Sequence, residues 1–218
     1  MKTQKILVYC GIHKCATFKK LIGRFDICYG FEADPLLAAK AQELFAKNNK
    51  IHIIHAALCE WNGSVSFSIH DDIAASSIGQ LGDDYRRATG NKIHPVNSVV
   101  VPAINLYDFL VFHKVEHIDL YQSDIQGMDF AVLRTLKPMI ESRSIKMIRC
   151  ETELDEHEFQ SYGGLPPNRQ ALFRSLLEDN YRISTRQKVG PNWASQDITW
   201  KLKPGYLLRW HLKHSWLA

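Results

Sequence analysis

The chain has five cysteines, Cys10, Cys15, Cys28, Cys59 and Cys150, but no Cys-x-x-Cys pair. Scattered, odd in number and set mostly in apolar stretches, they argue against a zinc ribbon or dithiol redox centre and for buried thiols in a reducing compartment. No apolar run approaches the roughly 20 residues of a membrane-spanning helix, and Met1-Lys2-Thr3-Gln4-Lys5 leads into a run too short for a secretory leader. A cytoplasmic location is expected. No long basic run exists and the formal charge is only +4, so no nucleic-acid partner is expected. No Gly-x-Gly-x-x-Gly follows the first apolar run, which argues against a nicotinamide dehydrogenase. Repeats and low-complexity tracts are lacking too.

What is present is an ordinary globular composition, 45% hydrophobic and 23% charged over 218 residues. We expect one domain over residues 1–218, with a tail at 204–218 packed on the domain or on a partner. Ile6-Leu7-Val8-Tyr9-Cys10 reads as a buried strand turned by Gly11, and Ala16 to Ile22 as a helix. Ile27 to Glu32 is a second strand. Asp34 and Pro35 then open a helix to about Lys47, and Ile51 to Leu58 is a third strand. Asn62-Gly63 followed by the alternation Ser64 to Ile69 predicts a hairpin. Asp71 to Asn97 reads as a polar loop with a short helix, Val99 to Val101 as an edge strand, and Asn105 as the cap of a helix over Leu106 to Phe112. Further strands end at Asp124 and Glu151, with a helix from about Met128 to Leu136 between them. After a helix starting near Pro166, Tyr181 to Thr185 and Asp197 to Leu202 complete the pattern. Alternating β and α units imply a mainly parallel sheet with helices on both faces.

Two units carry the chemistry. Gln122-Ser123-Asp124-Ile125-Gln126-Gly127 places an acid at a strand end before a glycine turn, and Tyr29-Gly30-Phe31-Glu32-Ala33-Asp34-Pro35 does the same upstream. Ligands in open α/β sheets sit outside the carboxyl ends of strands, and an acid at the second strand tip commonly accepts ribose hydroxyls. Each residue also has a plainer reading. Asp124 could cap the next helix, Glu32 and Glu151 could merely solvate strand ends, and Gly11 could serve an ordinary strand-to-helix turn. His52 and His55, three apart on a strand, face opposite ways and form no metal pair. Asp155-Glu156-His157-Glu158 cannot converge on one ion, so no metal is expected. His70, His94 and His157 lie in loops able to close over a site.

This wording resembles the FkbM-type methyltransferases from about Ile6 to Glu151. Gly11, the aromatic-Glu unit at Phe31-Glu32, the Ala-Leu of Ala57-Leu58, and Asp124 with Gly127 follow the family pattern. Tyr9 stands for its usual acid, Cys15 for a glycine, Ala33 for a proline, Gln122 for a lysine and Gln126 for a glutamate. The last two exchanges together remove one positive and one negative charge, as a matched pair would. The resemblance implies a class I, Rossmann-like fold with a mainly parallel seven-stranded sheet and an antiparallel C-terminal edge. It also implies S-adenosylmethionine as cofactor, held by Tyr9, Gly11, Ile12, His13, Glu32, Ala33, Ala56, Ala57 and Asp124. Glycine at position 11 would let backbone approach that cofactor. Asp124 and Glu151 are the expected catalytic pair. The implied reaction methylates a hydroxyl on a sugar, glycan or glycosylated or polyketide-like metabolite, with a nitrogen acceptor as the near alternative. The rival from another class is a degenerate domain that binds a nucleoside or protein without catalysis. A small-molecule or glycan partner is expected and a homodimer stays open. For the tail Tyr206 to Ala218, packing on protein is preferred over membrane contact.

Overall fold

Every position of Ile6-Leu7-Val8-Tyr9-Cys10 is apolar, and a run that cannot offer one face to water belongs inside a sheet. In the computed structural model, which describes residues 3–156, 160–189 and 195–204, this run is β1 (Ile6–Cys10), buried throughout. It is followed by α1 (Ala16–Ile22), β2 (Ile27–Glu32), α2 (Pro35–Phe45) and β3 (Ile51–His55). Asp34 caps α2 by accepting from the Leu36 and Leu37 N–H groups, with Pro35 in the first turn.

Next come β4 (Ala57–Cys59), β5 (Gly63–His70), a 3-10 turn at Ile73–Ala75, β6 (Gln80–Leu81), α3 (Asp83–Ala88) and β7 (Pro95–Asn105). Two expectations fail here. The Asn62-Gly63 turn does not pair the strands it joins. Instead β7 lies between β4, to which it is parallel, and β5, to which it is antiparallel. Asn62 bonds outward to β7 and the helix after it: its Oδ1 accepts from Asn105 N–H at 2.8 Å and its amide donates to Asp108 at 2.7 Å. For the same reason Val99 to Val101 belong to the central strand of this small sheet, not to an edge.

Asn105 then caps α4 (Leu106–Phe112) as its sequence predicts. The remaining elements are β8 (Leu120–Ser123), α5 (Asp129–Thr135), α6 (Lys137–Glu141), β9 (Met147–Glu153), β10 (Tyr162–Gly163), α7 (Gln170–Leu177), β11 (Tyr181–Val189) and β12 (Ser195–Leu202). The main sheet has seven strands in the order β11-β12-β9-β8-β1-β2-β3. It is mixed rather than mainly parallel: β12 runs antiparallel to both β9 and β11, while the other neighbours are parallel. A parallel pairing of β11 with β12 would need a crossover of a dozen or more residues, and only residues 190–194 lie between them.

One face of the sheet packs on α1 and α2 through Phe18 and Ala41. The other face packs on α4 to α7 through Leu110, Val132, Ile140 and Phe173, with Phe173 stacked on Trp200 of β12. No helix among the described residues is long and apolar enough to cross a membrane.

Candidate active site

β1 lies between β2 and β8, and the chain builds outward from it in both directions, so the sheet's switch point is at the β1–β8 pair. A crevice must open outside the carboxyl ends there. The register aligns Cys10 with Phe31 and Ser123, Ser123 with Cys150, and Glu151 with Asp197. One residue further along each parallel strand brings Gly11, Glu32, Asp124 and Glu151 to a common level. Four acids therefore stand in a row across the sheet's rim, of which Asp197 is paired with Arg149 at 2.6 Å. The crevice is walled by Gly11, His13, Glu32, Ala33, Ala56, Ala57 and Asp124, among others.

Gly11 has φ +78°, and a Cβ built on it would stand 2.1 Å from the Asp124 carbonyl oxygen. The chain's own backbone thus demands glycine here, a second reason beside the expected clearance for a cofactor. The turn continues through His13 (φ 48°) and Cys15 (φ 62°), both left-handed without being glycine. Cys15 is buried on the α1 side of the sheet.

That turn hands the His13 N–H to Glu32 Oε2 at 2.7 Å, while Glu32 Oε1 accepts from Asp34 N–H at 3.0 Å. Glu32 is buried, and burial raises its proton affinity despite these bonds. Each oxygen keeps a lone pair for a further donor. Glu32 is buried and pairs with no cation among the described residues, so it does not simply solvate a strand end. If its free lone pairs take ribose hydroxyls, Glu32→Gln should weaken cofactor affinity tenfold to a hundredfold, the equivalent of about 1.5–3 kcal/mol. Titration calorimetry with S-adenosylhomocysteine checks this, and an unchanged dissociation constant removes the ribose role.

Asp124 follows β8 and is exposed on the crevice floor. Its Oδ1 accepts from the Gln126 amide at 2.7 Å, and Glu151 stands beside it at the same level of the neighbouring strand. Two neighbouring carboxyls resist ionising together, so one of them tends to hold a proton. Lost hydration and the Asp197 charge raise Asp124; burial and the Asp124 charge raise Glu151 further. Asp124 caps no helix: α5 begins after Met128 with no side-chain cap. Glu151 lies within β9, which continues to Glu153, rather than at its end.

Behind the floor, Asp129 is fully buried, accepts from the Ser123 hydroxyl and the Ile125 N–H, and leaves Oδ2 without a partner among the described residues. Burial, then the Asp124 charge, pushes its pKa up to about 7. An unfolded Asp titrates near 3.9, so the folded state holds the extra proton and this contribution to stability is lost as pH rises through about 7. Wild type should melt higher at pH 5.5 than at pH 8, and Asp129→Asn should flatten that difference. An equal slope in the variant would place the titration elsewhere.

The two glutamines do not act as a pair. Gln122 donates to the Tyr9 hydroxyl at 3.1 Å, its register neighbour on β1, whereas Gln126 joins Asp124 to the Tyr162 hydroxyl, which donates to Gln126 Oε1 at 2.6 Å. Tyr9 and Ile12 lie under the crevice in the α1-side core and do not line it. His70 is buried at the end of β5 and His94 bonds to Asp71, and neither lines the crevice. Asp155 receives the Ala171 N–H at 2.8 Å. No metal-binding group occurs among the described residues. His157 and the 205–218 tail lie outside the described residues.

The strand order is the doubly wound 3-2-1-4-5-6 arrangement with one antiparallel strand inserted before the last. A family model described as the methyltransferase FkbM domain matches residues 10–183. The chain belongs to that family. As an FkbM methyltransferase it has a Rossmann-like methyltransferase fold and uses S-adenosylmethionine. No curated protein matches it. Solved structures similar to it include the Methanococcus jannaschii fibrillarin pre-rRNA processing protein, at 12% identity and TM-score 0.48 over 94% of this chain and 69% of that one. Others are the N-terminal domain of EvdMO1 in the presence of SAH and D-fucose (8% identity, TM-score 0.47, 92% and 77% covered) and the N-methyltransferase NodS of Bradyrhizobium japonicum (8%, 0.43, 93% and 88%). At these scores none of them bears on the acceptor or on the residues of the site.

The crevice fits the cofactor's chemistry. Glu32 offers acceptor oxygens where hydroxyls would lie, and alanines at 56 and 57 leave a flat slot beside it. His13 Nε2 is buried on the crevice wall without a partner among the described residues. Of the exchanged residues, Tyr9, Cys15 and Gln122 lie off the crevice wall, while Gln126 lines it and donates to Asp124.

Proposed function

We propose that this FkbM methyltransferase methylates a hydroxyl group of a sugar, a glycan, or a glycosylated or polyketide-like metabolite. The observation that carries this reading is Asp124, a carboxylate open to the crevice floor, bonded to Gln126 and beside Glu151. Bound S-adenosylmethionine supplies an electrophilic methyl: an acceptor oxygen lone pair forms the new O–C bond, and the C–S pair returns to sulfur. An alcohol must shed its proton in that displacement, so a base within hydrogen-bond reach is required. Asp124 fills that role, because its raised proton affinity makes it a stronger base than a solvated aspartate. Glu151 carries the proton that the two carboxyls cannot both give up. Glu32, Ala33, Ala56 and Ala57 then hold the nucleoside, and Gly11 and His13 border its methionine end.

Incubation with the cofactor and a panel of glycosides, aminoglycosides and polyketide alcohols tests the reading. Methylated products would be located by tandem mass spectrometry. A methyl on oxygen supports it. Transfer only to nitrogen across the panel sinks the oxygen assignment and leaves the enzyme class standing.

A further inference from the structure

A second space opens beside the crevice and has no part in holding the nucleoside. Its described walls include Tyr85, Glu151, Glu153, Tyr162, Asn168 and Ser195. Gln126 and Ala74 line both spaces and form the partition between them. The partition is itself bonded across the boundary, with the Gln126 amide on Asp124 in the crevice and its carbonyl on Tyr162 in the second space. Asp124 and Glu151, level with each other on neighbouring strands, meet at the same seam, with Asp124 on one wall set and Glu151 on the other.

The position fits an acceptor. Methyl transfer needs the nucleophile held in line with the breaking bond, and here the proposed base faces the nucleoside crevice while its protonated neighbour faces the second space. The lining sets the chemistry. The Tyr85 and Ser195 hydroxyls can donate to and accept from hydroxyl groups, and the Tyr162 oxygen, whose proton goes to Gln126, can accept. Glu153 is buried and has one carboxylate oxygen taken by the Ser161 N–H at 2.8 Å. Glu151, two residues earlier on β9, lies on the same face of that strand. No Lys, Arg or His occurs among the described residues that line this space. An anionic group placed beside Glu153 would meet like charge at low dielectric, which repels more strongly than in water, while the protonated Glu151 adds no charge of either sign.

The geometry points to the second space as the acceptor site, selective for a polyhydroxyl group that carries no phosphate or carboxylate. This rests on the methyl-transfer reading above and narrows its substrate class. Free glycosides and amino-sugar glycosides fit it, whereas sugar phosphates, nucleotide sugars and uronic acids do not.

The test uses full-length protein whose binding of S-adenosylhomocysteine has first been measured by calorimetry. Absence of that binding would defeat the methyltransferase reading itself. With the product bound, saturation-transfer NMR is run on matched probes: a methyl hexoside, its 2-amino analogue, its 6-phosphate and its uronic acid. We expect saturation of the neutral and amino probes, at least tenfold weaker signals from the two anionic ones, and loss of the neutral signal in Tyr162→Phe. Glu153→Gln should narrow the gap between neutral and anionic probes while leaving product affinity unchanged. Anionic probes that bind as well as neutral ones overturn the inference. So does saturation of none of the neutral probes, or neutral binding insensitive to both variants.

Discussion

Asp124→Asn is expected to fold, to bind S-adenosylhomocysteine like the wild type, and to lose turnover by a factor of about a hundred to ten thousand, the usual range for a removed general base. Asparagine keeps the carbonyl oxygen that accepts from Gln126, so the local geometry should survive. The pH profile separates this role from a structural one. The Asp124 carboxyl is held above its ordinary range by lost hydration and by Asp197, so the wild-type rate should fall on the acid side at a higher pH than a solvated aspartate would give. That limb should vanish in the variant. Asp124 was also expected to hold the cofactor, through the ammonium of its methionine moiety. In that case the variant would raise the cofactor KM and leave saturated turnover intact, and the base assignment would fall.

Gly11→Ala should cost about 3 kcal/mol or more, lowering Tm by roughly 6–12 °C for a chain of this size. The added methyl carbon would need to occupy a point 2.1 Å from the Asp124 carbonyl oxygen, at a φ of +78° that only glycine adopts freely. Neither β1 nor the turn at Asp124 can retreat cheaply, because Asp124 N–H donates to Cys10 O and Gly11 N–H to Phe31 O. Calorimetric melting checks the stability loss, and cofactor affinity should fall with it as the crevice floor shifts. If Gly11→Ala melts within about 2 °C of wild type, the close approach is not what fixes this position.

The strands and the acids at their tips were legible because each is a local signal. The all-apolar run of β1, the Asp34-Pro35 cap and the Asn105 cap rest on residues within a few positions of one another. What failed needed partners remote in sequence. Asn62-Gly63 is a sound hairpin signal, yet β7 outcompetes β5's sequence neighbour for the pairing. Gln122 looked like the counterpart of Gln126, but strand register gives it Tyr9, 113 residues away. The second demand on Gly11, the close approach of the Asp124 carbonyl, was not legible, since nothing local to Gly11 announces it. The second space was missed altogether. Its walls come from α3, β9, β10, β12 and the segment before α7, and no short motif spans them.

The same separation has a consequence in time. β1 leaves the ribosome 113 residues ahead of Asp119, whose carboxylate takes the Ile6 N–H. At roughly 5–20 residues per second, synthesis delays that partner by about 6–23 s. Throughout that interval one edge of the most apolar strand in the protein can pair only with β2, and its other edge stays open. An unpaired edge of this kind is a template for pairing with foreign strands. The vulnerable period of this enzyme is therefore set by translation speed, and slowing synthesis between β3 and β8 should raise the aggregated fraction.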